Sequence, residues 1–169
     1  MLFRSRQRAL TVLDRAAGAS VGHVFTVGHG YKILDDGFYV TPGPYPHYQL
    51  TSDQIGRFLV RAAASYIAVP LPWQMASRSE VAYLPEQMLW SLLLAGLPLG
   101  AAVAYRRDAL VACLLVAYTV PTAVAVAVTT GNVGTLIRHR TLIVPYLAWV
   151  SIAGFVSLLG RAAHEEAPA

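Results

Sequence analysis

The sequence predicts an all-α integral membrane protein with three firm spans and one possible span, after a short extra-membrane N-terminal segment. Three observations carry this. Hydrophobic residues make up 56% of the 169 and charged residues only 13%, against roughly 25% charged in ordinary soluble chains. Residues 87–105, 109–137 and 141–160 contain no charged side chain at all. None of these runs has the polar outer face that a helix of a soluble bundle needs. About 20 apolar residues, rising about 1.5 Å each, cross the roughly 30 Å hydrocarbon core of a bilayer. The chain divides accordingly into an extra-membrane segment (residues 1–50), a helical membrane domain (51–161) and a solvated tail (162–169).

The elements follow in order. Residues 2–17 read as a short basic helix, with no apolar run behind it of the kind a secretory leader requires. Residues 18–50 are rich in Gly, Pro, Tyr and His. Val24–Phe25–Thr26–Val27 fits a short strand, and "DDG" and "TPGPYP" are turn signals, so this region reads as loop with one small hairpin. Thr51 and Gln54 have capping-box spacing. Ile55, Phe58, Leu59 and Ala62 then recur at helical intervals, while Arg57 and Arg61 share another face. This helix stops at Pro70 and Pro72 and is the possible span; it either crosses or lies in the interface.

Residues 77–86 form a polar connection. Pro85 suits the first position of the next helix and Glu86 its positive end. Gly96 and Gly100 form a G-x-x-x-G pair, which lets helices approach closely in lipid. Asp108 fits an N-cap for the third run, which contains Pro121. Gly131, Asn132 and Gly134 are stop residues for that run. The last span begins near Thr141, contains Pro145 early and ends at Arg161.

Charge supplies a topology. With four spans and the N-terminus inside, Arg4, Arg6, Arg8, Arg15, Lys32, Arg57, Arg106, Arg107 and Arg161 are cytoplasmic, in keeping with the positive-inside rule. Arg78, Arg138 and Arg140 are then outside. The formal charge of +4 is explained by residues flanking apolar runs and by anionic headgroups, not by nucleic acid, for which no aromatic–basic motif is present. The single cysteine, Cys113, lies mid-run and has no partner for a disulfide within the chain. Arginine outnumbers lysine twelve to one, a bias that fits a high-GC bacterial source.

"GNVGTLIRHR", residues 131–140, holds the candidate site. Arg138 and Arg140 serve either as membrane-edge anchors or as a phosphate site, since guanidinium offers planar paired donors that match phosphate oxygens. They share a face only on an extended backbone; in a helix they diverge by about 200°. The glycines before them favour a non-helical approach. Asn132 and Thr135 can add side-chain hydrogen bonds. His23 and His29 lack metal-ligand spacing, no cofactor or phosphate-loop motif is present, and no catalytic residue can be assigned.

Three stretches together, "GHVFTVGHGYKILDDGFY", "VPLPWQMASRSEVAYLPEQMLWSLLLAGLPLG" and "GNVGTLIRHRTLIVPYLAW", resemble the C-terminal portion of large bacterial multi-spanning proteins. These are the family-39-like, dolichyl-phosphate-mannose-type glycosyltransferases and related envelope-polysaccharide proteins. The resemblance implies a multi-pass protein of the bacterial inner membrane within a polyprenyl-phosphate-linked glycan transfer or assembly system. It implies a polyprenyl-phosphate carrier as ligand, with Arg138 and Arg140 near its phosphate. The catalytic acid of such enzymes lies in an early outer loop that nothing here matches, so the chain is expected to lack it. The competing expectation is a non-catalytic membrane subunit or scaffold that pairs with a larger membrane protein through Gly96 and Gly100.

Overall fold

The computed structural model describes residues 2–26, 29–39, 50–71, 73 and 81–165. The "TPGPYP" turn, Pro72, Arg78 and the last four residues of the expected tail lie outside them. Among the described residues the chain is helical, with one isolated backbone bridge. It divides into two compact units, residues 1–69 with 123–140, and residues 70–122 with 141–169.

In the first unit, α1 runs Leu2–Val24. Of the expected strand at residues 24–27, Val27 lies outside the described residues; Val24 is instead the last residue of α1, because Ala17, Ser20 and Val21 are buried at helical spacing and carry the helix on past residue 17. Beyond it, the Tyr39 hydroxyl at the end of a short 3-10 turn (Asp36–Tyr39) accepts the N–H groups of Ile33 and Leu34, both at 3.0 Å. Ile33 and Leu34 are buried. α2, Ser52–Ala68, begins at the capping box read from the sequence: Gln54 N–H donates to the Thr51 hydroxyl, and the Gln54 side chain accepts from the Thr51 N–H. Phe58, Ala62 and Tyr66 form its buried stripe at i, i+4, i+8. Arg57 and Arg61, on another face, both reach Asp35, at 3.3 and 2.6 Å.

α2 is not a span. Its 17 residues cover about 25 Å, short of the roughly 30 Å core, and include Asp53, Arg57 and Arg61. Two helices are long and apolar enough to cross a membrane: α3, Leu84–Arg107, and α4, Ala109–Thr129. The expected third firm span does not stand alone. The run from 109 to 137 breaks after Thr129, and a new helix, α5 (Val133–Arg140), precedes α6 (Val144–Glu165). Val133–Arg140 and Val144–Gly160 pass as a span only together, as a broken pair. Among the described residues the count is therefore two firm spans and up to three, fewer firm spans than the sequence suggested. α6 also carries the helix through Glu165, into the expected tail.

The four-span topology fails for a second reason. An antiparallel bridge joins Gly30 to Asn132. Tyr31 N–H donates to the Gly131 carbonyl at 2.7 Å, and Val133 N–H to the His29 carbonyl at 2.9 Å. Groups so bonded lie on one side of any membrane, whereas four spans put Lys32 and Arg138 on opposite sides. The close approach needs Gly131: a Cβ there would stand 2.5 Å from the Ser20 carbonyl oxygen.

In the second unit, α3 and α6 cross at Gly96, Gly100 and Gly154. A Cβ on Gly96 would lie 2.6 Å from the Phe155 ring, and one on Gly154 2.6 Å from the Gly100 nitrogen. The Ser151 hydroxyl donates to the Leu93 carbonyl at 2.6 Å. That carbonyl is next to Leu94, whose own carbonyl loses its helical donor to Pro98. Asp108 caps α4, accepting the Val111 N–H at 3.1 Å.

Candidate functional site

The "GNVGTLIRHR" segment is built in three parts. Asn132 starts α5: its side-chain oxygen accepts the Thr135 N–H at 3.3 Å, an N-cap bond that satisfies one of the helix's orphan donors. Its amide nitrogen donates to the Thr26 hydroxyl at 3.4 Å. Asn132 and the Thr135 backbone are thus occupied in holding the helix start to the end of α1, and Asn132 is buried.

The helix then places the two arginines differently. The stretch expected to approach on a non-helical backbone is helical from Val133 onward. Asn132 is both a helix stop and a helix start, and tertiary pairing with residues 29–31 selects the start. Two residues apart on a helix, Arg138 and Arg140 point about 200° apart. Arg138 and His139 are exposed, whereas Arg140 is only 1% exposed.

Arg140 is spent on α2. Its Nη2 donates to the carbonyls of Tyr66 and of Val69, the latter at 2.7 Å. Tyr66 lies in the last turn of α2 and Val69 is its C-cap, so both carbonyls sit at the negative end of the helix dipole, where helical donors run out. The guanidinium also lies 5.6 Å from the centre of the Tyr66 ring, within cation–π range. Its charge is felt by neighbouring phenols. Burial pushes the Tyr31 hydroxyl well above the usual tyrosine range, Arg140 pulls it partly back, and Tyr39 and Tyr66 add to the rise. Burial likewise pushes Tyr66 up to about 12, against the pull of Arg140. Both are neutral at physiological pH.

The structure therefore brings Asn132, Thr135 and Arg140 into one braced element and leaves Arg138 on its surface beside His139. Gly96 and Gly100 lie in the second unit against α6 of the same chain. Thr26, Tyr31 and Tyr66 belong to the brace but carry no sequence signal, since their partners are distant in the chain. Among the described residues no group of three or more His, Cys, Asp or Glu could hold a metal ion. Asp35 is engaged by two arginines, and Asp14 accepts the Leu50 N–H at 3.0 Å. Comparisons with protein-family models, curated proteins and solved structures returned no match.

Proposed function

We propose that this chain is a multi-pass inner-membrane part of a polyprenyl-phosphate-linked glycan transfer or assembly system. Arg138 and His139 meet the carrier's phosphate, and Arg140 and Asn132 fix the helix that presents them. One observation carries the reading. A short cationic helix interrupts the apolar run, capped at its start by Asn132 and anchored at its end by buried Arg140, with Arg138 left exposed. Broken helices at membrane depth are tolerated where they line a binding site. An arginine held on such a helix offers paired donors at little entropic cost. The resemblance to polyprenyl-phosphate-using proteins points to the same ligand class. The catalytic acid is supplied from elsewhere in the system.

The alternative, a non-catalytic subunit paired through Gly96 and Gly100, is disfavoured because α6 fills the space those glycines open. The test is equilibrium binding of the purified protein in detergent to decaprenyl phosphate, with uncharged decaprenol as control. Saturable binding of the phosphate alone supports the reading. Equal binding of both, or of neither, refutes it.

A further inference from the structure

The second unit contains a groove of about 450 Å³ between α3, the first half of α4 and the start of α6. Its walls include Leu97, Ala101, Tyr105, Cys113, Val116 and Tyr146, and no charged side chain lines it. The one threonine on the wall, Thr119, donates its hydroxyl to the Leu115 carbonyl at 2.7 Å, so it offers the groove little polarity. The volume falls within the roughly 300–1,000 Å³ of small-ligand sites. At one end, Ala104 and Tyr105 lead directly into exposed Arg106 and Arg107 in the last turn of α3. The neighbouring Asp108 carboxylate is used to cap α4. An apolar trough inside two candidate spans thus ends at two cations, at the depth where a span meets headgroups.

We infer that this groove holds an acyl chain of an anionic phospholipid, whose phosphate rests on Arg106 and Arg107. Charge complementarity selects the occupant: an apolar helix gains nothing from the paired arginines, and a zwitterionic lipid gains less than an anionic one because its headgroup cation offsets the phosphate. A juxtamembrane arginine contributes about 1 kcal/mol towards an anionic headgroup. With Asp108 offsetting one of the two, the preference for phosphatidylglycerol over phosphatidylcholine should be about fivefold. This site belongs to the second unit alone and does not depend on the proposed carrier.

Native mass spectrometry of the delipidated full chain, titrated with equal amounts of the two lipids, reads the preference directly. The expected result is about fivefold more phosphatidylglycerol adduct, abolished by combined Arg106→Gln and Arg107→Gln and reduced by Ala101→Trp, which fills the groove from its exposed rim. Phosphatidylglycerol carrying a diazirine on its acyl chain should photolabel the unaltered chain at residues 112–119. Equal adducts of the two lipids overturn the inference, as does photolabelling confined to other helices. Protection of residues 112–119 through cross-linking to a second copy overturns it in favour of a helix partner.

Discussion

The backbone N–H of Tyr31 donates to the Gly131 carbonyl at 2.7 Å, joining residues a hundred positions apart. This bond and its neighbour from Val133 to His29 put the N-terminal segment and α5 on the same side of the bilayer that α3 and α4 would cross. Single cysteines at Gln7 and His139, both exposed, in a Cys113→Ser background should react with an impermeant thiol reagent from the same side. Labelling from opposite sides would restore the four-span order.

Arg140 and Arg138 should separate cleanly by stability. Arg140→Met leaves two buried carbonyls of α2 without their charged donor and should cost about 3 kcal/mol. Arg138→Met, at an exposed position, should cost clearly less than Arg140→Met. Thermal unfolding in detergent measures both. Equal effects would mean that Arg140 does not hold α5 to α2.

How much of this was legible beforehand depended on range. The Thr51 capping box and the Asp108 cap each need residues within three positions, and both were read correctly from the sequence. The buried role of Arg140 was not, because its acceptors at Tyr66 and Val69 lie more than seventy residues away. Asn132 shows the intermediate case: the residue signals a helix end in either direction, and only its pairing with Gly30 decides. The last span was overcounted because a charge-free run from Thr141 does not show where its helix starts: α6 begins only at Val144 and passes as a span only together with α5.

At the α3–α6 crossing the glycines should rank by what they meet. Gly100→Ala drives a Cβ into the Val150 backbone carbonyl, which cannot move without shifting α6. Its cost should be about 1–3 kcal/mol. Gly96→Ala meets the Phe155 ring, a side chain that can turn aside, and should cost less. Gly22→Ala in α1 meets nothing within 4 Å and should stabilise by about 0.5–1 kcal/mol. Thermal unfolding of the three variants checks the order.

Tyr31 should impose an alkaline limit. Its folded-state value is raised by burial, so the unfolded chain loses the proton first as pH rises. Stability is therefore intact below the ordinary tyrosine value of about 10 and falls above it. Tyr31→Phe should leave stability near neutral pH unchanged or higher, and should flatten the decline above about pH 10. A steeper alkaline decline in the variant would contradict this placement of the phenol.

The most direct measurement is decaprenyl phosphate affinity across parent, Arg138→Lys and Arg138→Gln, with unfolding temperature recorded for each. A lysine is a point charge and does not reproduce the guanidinium fork. Arg138→Lys should therefore weaken binding several-fold and Arg138→Gln by at least tenfold, about 1.4 kcal/mol, both with parental stability. Affinity unchanged in Arg138→Gln would remove the phosphate from α5 and leave Arg138 as a membrane-edge anchor.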